Sequence, residues 1–112
     1  MRYIPDRGHW IWLDFDPQAG HEQAGMRPAL VLTTREFNKA SGLCIVCPVT
    51  TTKRGLRTHV PIPPGEAVKG FILVDHLKSL DFKARRIRQI GSASKVVLED
   101  VVDIVVALVD PL

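Results

Sequence analysis

The sequence lacks a long hydrophobic run, and only 6% of its residues are aromatic. No apolar stretch reaches the roughly 20 residues that a membrane-spanning helix needs, which excludes a transmembrane protein of that kind. The N-terminal residues 1–9 also lack the apolar core that a secretory signal contains. We therefore expect a cytoplasmic protein with no membrane partner.

Cysteine is scarce as well, since the chain contains only Cys44 and Cys47. Their C-x-x-C spacing is compatible with a redox pair or with half of a zinc site. The surrounding segment, LCIVCPV, is typical of a strand, in which residues three apart point to opposite faces. Because no second pair completes a metal site, we predict two core thiols, and we expect neither a metal nor another cofactor.

Three common motifs of catalysis are missing. The sequence has no phosphate-binding G-x-x-x-x-G-K-[ST] loop, no dinucleotide-binding G-x-G-x-x-G motif and no H-E-x-x-H zinc motif. Enzymes that depend on these motifs are therefore disfavoured, and the chemistry has to be sought in a more specific pattern.

The apolar content that is present suffices for one folded domain. Hydrophobic residues make up 46% of the 112 residues. A chain of this length buries roughly 65% of the surface that its unfolded form exposes, so the core needs no disulfide or metal. We expect residues 1–112 to form a single domain.

The charge is positive overall and unevenly distributed, with a formal net charge of +3. Residues 95–112 carry four acidic residues and one lysine, whereas residues 1–94 carry 14 basic and eight acidic residues. A basic body with a separate acidic segment suggests that the body binds a polyanion.

Hydrophobic patterning predicts five to seven short strands and one terminal helix. The strands are expected at residues 9–15, 29–34, 43–49, 59–62, 70–75 and 83–90. Residues 35–41 are compatible with one or two helical turns, and the 3.6-residue period of Lys95–Asp110 favours a helix capped by Ser94. Valines off its main apolar stripe suggest a second covered side, such as a subunit interface. The elements together indicate a small, strongly bent sheet or barrel with a helix packed against it.

A glycine- and proline-containing loop at residues 17–28 is predicted between the first two strands. It carries His21, Glu22, Gln23 and Arg27, the densest set of groups in the chain that can move or hold a proton. A loop of this length in a small domain is usually functional or disordered, and its polar content favours function. Spacing alone leaves open that these side chains are only solvated loop groups.

The same groups suit RNA cleavage if the polyanion is RNA. Cleavage without a metal needs a base for the 2′-hydroxyl, an acid for the departing 5′-oxygen, and donors that stabilise the charged phosphorane. Glu22 could be the base, and His21 could act as acid or base. Arg27 offers a fork of donors that matches phosphate oxygens, and the Thr50 hydroxyl could donate a further hydrogen bond. Asp75 is either a site acid or a turn cap.

Two basic segments, at residues 53–57 and 83–88, could follow the RNA backbone on either side of the site. The candidate RNA-binding residues are Gln23, Thr51, Lys53, Arg54, Arg57, Lys78, Arg85 and Arg86.

Three segments resemble the MazF/PemK family of toxin endoribonucleases: DFDPQAGHEQAGMRPALVL, then CPVT, then VDHLKSLDFKAR. The G-[HS]-E-Q-x-G-x-R-P motif within the first is specific to that family. The resemblance implies a mainly β (α+β) fold, an SH3-like barrel with a C-terminal helix, and a homodimer. It also implies metal-independent, sequence-preferring cleavage of single-stranded mRNA to a 2′,3′-cyclic phosphate and a 5′-OH end. Inhibition of translation and growth, and neutralisation by a cognate MazE/PemI-type antitoxin, are further implications.

By this resemblance Arg27 and Thr50 match the usual catalytic pair of the family, and Glu22 matches the glutamate of the motif. In the PemK branch a histidine and an aspartate also take part, which match His21 and Asp75, and an arginine of the -KAR- segment matches Arg85. That branch has an arginine two residues before the aspartate, whereas Asp75 is preceded there by Leu73. The PemK division of roles is therefore not carried over whole.

Two other functions stay open from the sequence. One is a non-enzymatic poison of DNA gyrase on a related barrel, of the CcdB type, which would use the C-terminal helix and need no arginine–threonine pair. The C-terminus lacks the aromatic ending expected for that mode. The other is an RNA-binding barrel without turnover.

Overall fold

The computed structural model describes residues 2–15 and 25–110. The predicted site residues His21, Glu22 and Gln23 lie outside the described residues. Within the described ranges, no helix is both long enough and apolar enough to cross a membrane.

The described chain forms a sheet of seven strands and two α-helices. The strands are β1 (His9–Asp14), β2 (Met26–Val31), β3 (Leu43–Thr50), β4 (His59–Pro61), β5 (Phe71–Leu73), β6 (Lys78–Asp81) and β7 (Ile87–Ser92), and the helices are α1 (Arg35–Ser41) and α2 (Lys95–Val109). A 3₁₀ turn at Val74–His76 follows β5. The spatial order is β4-β5-β3-β2-β1-β7, and every pair is antiparallel. The outer strands of this order do not pair with each other, so the mainly β, α+β fold with a C-terminal helix is confirmed as an open barrel.

β3 is the central strand and gives the sheet its bend. Its first half pairs with β6 and its last two residues pair with β5, while β2 occupies its other edge. Because β5 and β6 follow each other along one edge of β3, the sheet divides there into two parts. One part leads to β4, and the other contains β1, β2, β6 and β7.

Side chains pack in two clusters on opposite faces of the sheet. The first contains Trp10, Leu30, Cys47, Val49 and Ile72 and is covered by Val97 and Val101 of α2. The second contains Ile11, Leu13, Phe15, Ala29, Val31, Cys44, Val46, Leu80 and Phe82. Alternation along β3 therefore sends the two cysteines to different clusters, where both are fully buried. The predicted divergence of the thiols is confirmed.

The predicted loop at 17–28 is too long at its C-terminal end. β2 begins at Met26 because Trp12, Leu13 and Asp14 of β1 pair with Pro28, Arg27 and Met26 respectively. The pairing of β2 with β3 begins only at Ala29. Proline lacks an N–H donor, and residue 28 is tolerated in the strand because only one neighbouring strand pairs with it there.

The predicted strand at 83–90 is wrong in its first half. Lys83–Arg86 forms a turn, and β7 starts at Ile87. The carboxylate of Asp81 accepts hydrogen bonds from the backbone N–H groups of Lys83 (2.9 Å) and Ala84 (3.3 Å). An aspartate that binds the following backbone in this way favours a turn over a continuous strand. The prediction also missed β6, and it extended β5 over the 3₁₀ turn.

Both helices are capped at their N-termini, and the predicted cap at Ser94 is confirmed. Thr34 and Ser94 accept hydrogen bonds from backbone N–H groups in the first turns of α1 and α2. Gly42 ends α1 in the left-handed conformation, with φ of +76°. The many valines of α2 would favour a strand, but the segment is a helix. Its apolar residues recur with the helical period, which places Val97 and Val101 against the first core cluster.

Candidate active site

Arg27 is the second residue of β2 and lies opposite Leu13 of β1. Residues two apart on a strand share a face, so Arg27 lies on the same face as Ala29 and Val31 of the second core cluster. Its side chain is half-buried. The guanidinium is thus carried by a paired strand at the edge of a core, and not by an exposed loop.

Thr50 is the last residue of β3 and lies opposite Phe71 of β5. It is 6% exposed, which is low for a polar residue at the end of a strand. Its Oγ1 accepts a hydrogen bond of 3.2 Å from the backbone N–H of Thr52. A hydroxyl that accepts one bond still has its own O–H to donate.

The strand register brings these two residues to the same end and the same face of the sheet. Ala29 of β2 pairs with Pro48 of β3. Arg27 lies two residues before Ala29, and Thr50 lies two residues after Pro48. Because neighbouring strands run antiparallel, the same register continued by two residues sets Arg27 opposite Thr50.

Gly70 is a site residue that the sequence interpretation missed. Its φ is +123°, and a Cβ at this position would overlap the backbone oxygen of Thr50. Its own carbonyl accepts a hydrogen bond of 2.9 Å from the N–H of Ile62. A glycine next to a strand often marks such a close approach of two backbones, and that signal could have identified it.

Lys78 and Arg85 approach the position where β1 ends. The ammonium of Lys78 lies 5.4 Å from the centroid of the Phe15 ring, within the range of a cation–π interaction. The Nη1 of Arg85 donates a hydrogen bond of 3.1 Å to the carbonyl oxygen of Asp14. The N–H of Phe15 donates to the carbonyl oxygen of Gly25 at 3.0 Å. These cations therefore lie beside Asp14 and Phe15, at the end of β1.

Asp75 lies elsewhere, in the 3₁₀ turn after β5. Its Oδ1 is 3.2 Å from the Nε2 of His59, whose side chain is 3% exposed. The angles at this contact do not make it a hydrogen bond, so we treat it as an electrostatic contact. Burial raises the pKa of Cys47 to about 12, and the charge of Asp75 adds to that shift. Cys47 belongs to the first core cluster, which lies on the opposite face of the sheet from Arg27 and Thr50.

The loop after Thr50 contains four of the predicted RNA-binding residues, of which three are basic. All four are exposed: Thr51, Lys53, Arg54 and Arg57. Arg86, in the turn before β7, is exposed too. The loop begins directly after Thr50, so its exposed cations start at the Arg27–Thr50 end of the sheet.

The arrangement suits the recognition of a phosphate group. Arginine supplies up to two parallel donors, the threonine hydroxyl supplies another, and the neighbouring cations attract the rest of a polyanion. The two cysteines do not take part as nucleophiles at neutral pH, because burial raises the pKa of Cys44 and of Cys47 to about 12. Among residues 2–15 and 25–110, no three His, Cys, Asp or Glu residues are grouped so that they could hold a metal ion.

Comparison with known proteins places this chain among bacterial toxins. A family model described as a PemK-like, MazF-like toxin of type II toxin-antitoxin systems matches residues 6–109. The endoribonuclease toxin MazF of Escherichia coli strain K12 is 41% identical over 93 residues, which cover 83% of each chain.

Solved structures agree with this match. A crystal structure of MazF from Deinococcus radiodurans superposes with a TM-score of 0.91 at 44% identity, covering 96% of this chain and 98% of that one. A MazE-MazF crystal structure from the same organism superposes with a TM-score of 0.87 at 43% identity, covering 99% of this chain and 100% of that one. With its fold, its motif and nearly its whole length matched, the chain belongs to the PemK-like, MazF-like toxin family of type II toxin-antitoxin systems.

Proposed function

We propose that this protein is an endoribonuclease toxin that cuts single-stranded RNA and is neutralised by a cognate antitoxin. The observation that carries the proposal is the register of β2 against β3, which directs Arg27 and Thr50 towards the same end and the same face of the sheet. Family membership supports it, because relatives at 41% and 38% identity are named as endoribonuclease toxins. Cleavage of mRNA in the cytoplasm would inhibit translation and growth.

In the proposed mechanism the scissile phosphate binds between Arg27 and Thr50. The guanidinium holds two phosphate oxygens, and the threonine hydroxyl donates to the oxygen on which negative charge grows. Attack by the adjacent 2′-OH then yields a 2′,3′-cyclic phosphate and a 5′-OH end without a metal ion. Glu22 takes the proton from the 2′-OH, and His21 returns one to the leaving oxygen.

Asp75 takes the last rank among the proposed catalytic residues. Its carboxylate contacts His59, and its charge acts on Cys47 on the opposite face from Arg27 and Thr50. We infer that Asp75 influences the reaction through the position of β5, which pairs with Thr50. The change Asp75→Asn should therefore lower activity much less than Arg27→Ala.

The decisive experiment is incubation of the purified protein with a long mRNA in EDTA. The expected result is a set of discrete fragments with 5′-OH ends, which mapping at nucleotide resolution would convert into a cut sequence. Thr50→Val removes the hydroxyl at nearly constant volume and should abolish these fragments, whereas Thr50→Ser should retain them. Intact RNA in a retarded band would instead support an RNA-binding barrel. Intact RNA together with gyrase inhibition would support the CcdB-type function.

The proposed antitoxin is an acidic, disordered segment that folds onto the exposed basic loop after Thr50. The relatives include MazE-MazF complexes, and acidic side chains would suit the exposed cations of residues 53–57. RNA and antitoxin would then compete for the same charges. Titration of a short labelled RNA complex with an antitoxin peptide should displace the RNA, and simultaneous binding of both would contradict the proposal.

A further inference from the structure

A cavity of about 340 Å³ opens between the N-terminal segment and the turn that joins β6 to β7. Its cationic lining consists of Arg2, Lys83, Arg85 and Arg86, and its remaining lining consists of Tyr3, Phe82 and Ile87. The volume lies at the lower end of the roughly 300–1,000 Å³ typical of small-molecule sites. The cavity is therefore large enough for a ligand the size of one nucleotide.

The described lining of the cavity is rich in positive charge. Within residues 2–15 and 25–110, no acidic residue lines it and no ion pair reaches Arg2, Lys83 or Arg86. Asp81 does not line the cavity, and its Oδ1 accepts hydrogen bonds from the backbone N–H groups of the turn. Like charges gathered around one cavity repel each other, so a bound anion would both relieve the repulsion and accept charge-assisted hydrogen bonds.

The uncharged wall of the cavity favours a nucleotide over a simple inorganic ion. The Tyr3 ring stacks on His9, with centroids 5.8 Å apart. His9 Nδ1 accepts a hydrogen bond from the backbone N–H of Asp6, and so it carries no proton of its own. The Tyr3 hydroxyl, 2.6 Å away, is therefore the donor to the same nitrogen. Burial raises the pKa of Tyr3 above its ordinary value, so the phenol adds no negative charge. An aromatic ring beside cations is a common surface for a base or sugar of single-stranded nucleic acid.

Arg85 connects this cavity to the Arg27–Thr50 end of the sheet. It lines the cavity, and its Nη1 donates to the carbonyl oxygen of Asp14 next to Phe15 and Lys78. Lys78 and Arg85 both lie near the end of β1, and Arg85 also lines the cavity, so an RNA strand that passes the end of β1 can continue towards the cavity.

We propose that this cavity is a subsite for one nucleotide of the single-stranded RNA, away from the bond that is cut, with the phosphate held by Arg2, Lys83 and Arg86. The subsite rests on the proposed function, since it extends the path of the same strand. It assigns roles to the N-terminal segment and to Lys83, and it makes them determinants of affinity for longer substrates.

The test uses a 12-nucleotide fluorescein-labelled 2′-O-methyl RNA that carries the mapped cut sequence and cannot be cleaved because it has no free 2′-OH. Fluorescence anisotropy is compared between the wild type, the double variant Arg2→Ala/Lys83→Ala, and the charge-matched control Lys69→Ala/Lys95→Ala. Lys69 and Lys95 are exposed and line no part of the cavity. The cavity variant should bind roughly tenfold more weakly, and its salt slope should fall by about 0.7 for each lost phosphate contact.

Cleavage kinetics provide the second measurement. KM for a 12-nucleotide RNA should rise in the cavity variant while kcat stays unchanged, because the lost contacts lie away from the reacting bond. A cavity variant that binds the oligonucleotide within twofold of the control overturns the subsite. Weakened binding of an acidic antitoxin peptide with unchanged oligonucleotide binding overturns it too, since the cavity would then serve a protein. If the wild type cuts no RNA, so that no cut sequence can be mapped, yet binds a 12-nucleotide 2′-O-methyl RNA of mixed sequence through this cavity, the proposed function fails and the subsite stands.

Discussion

At the scale of single residues, the site depends on which backbone carries each side chain. The motif identified Arg27 but predicted it in a loop, whereas β2 holds it in register with β1, half-buried beside the second core cluster. Tertiary pairing overrides the local proline and glycine signals at this position. A guanidinium on a paired strand is more strictly oriented than one on a loop, which suits the binding of two phosphate oxygens at once.

The substitution Arg27→Lys should separate charge from geometry. Lysine keeps the positive charge but lacks the fork of donors, so kcat should fall by about 10²–10³-fold, the usual cost of one donor to a developing oxyanion. The melting temperature should change by only a few degrees. Activity within threefold of the wild type would show that charge alone suffices and would contradict bidentate binding.

The buried thiols predict a loss of stability in alkali. Burial raises the pKa of Cys44 and Cys47 to about 12 from an ordinary value of 9.0. Between these values the unfolded chain has released its thiol protons while the folded chain retains them. Below pH 9 the thiols therefore leave the free energy of unfolding unchanged. As the pH rises from 9 towards 12, the free energy of unfolding falls by about 1.4 kcal/mol per pH unit for each thiol.

Urea denaturation at pH 8, 9 and 10 measures this loss. The double variant Cys44→Ala/Cys47→Ala should show a flatter dependence on pH, even though its absolute stability is lower because of the cavities that it creates. Identical slopes for both proteins would contradict the assignment. A thiol reagent at pH 8 should react with the wild type only after unfolding.

At the scale of elements, the start of β5 positions the end of β3. Gly70 combines a positive φ with a backbone contact to Thr50 that leaves no room for a Cβ. The neighbouring Gly65 also has a positive φ, of +96°, but a Cβ there would meet nothing within 4 Å. A substitution at Gly65 would therefore introduce backbone strain alone, whereas a substitution at Gly70 would also displace the backbone of Thr50.

Replacement of each glycine by alanine tests this positioning role. Gly65→Ala should cost about 1 kcal/mol of unfolding free energy through its φ alone and should leave RNA cleavage unchanged. Gly70→Ala should cost more, about 2–4 kcal/mol, and should lower kcat at temperatures where the protein stays folded, because Thr50 must move. Equal effects of the two substitutions on cleavage would remove the positioning role of Gly70.

The loop between β3 and β4 should contribute to affinity and not to the chemical step. Lys53→Ala/Arg54→Ala should weaken RNA binding and flatten the salt slope by about 0.7 for each lost phosphate contact. Because both side chains are exposed, the melting temperature should stay close to that of the wild type. The control is Lys69→Ala/Lys95→Ala, and a slope equal to that of the control would exclude this loop from the RNA path.

At the scale of the whole molecule, α2 presents apolar side chains on more than one side. Val97 and Val101 are buried in the first core cluster, whereas Val106 and Val109 are 50% and 77% exposed. A further cavity of about 390 Å³ lies between α2 and the sheet, lined in part by Leu77, Val102 and Val109. This face suits the homodimer that we expect from the family.

Substitution on this face tests the dimer. Val106→Asp/Val109→Asp should shift the sedimentation coefficient from that of a dimer towards that of a monomer, because each charge would have to be buried at the interface. The control is Val96→Asp, which is 66% exposed at the other end of α2. A dimer that survives the double substitution would place the interface on another face.

The sequence by itself determined the elements whose signals are local. Most of the strand patterns, the cap at Ser94 and the motif around Arg27 all act within a few residues along the chain, and so they could be recognised without a structure. The opposite faces of the cysteines on β3 also followed from local alternation, which strand pairing preserved.

Only the tertiary structure decided which distant residues meet. The register of β2 against β3, continued by two residues, sets Arg27 opposite Thr50, and Gly70 lies in close contact with the backbone of that threonine. Asp75, which the sequence analysis grouped with them, contacts His59. Such meetings depend on non-local pairing and on the bend of the whole sheet, to which no single stretch of sequence corresponds.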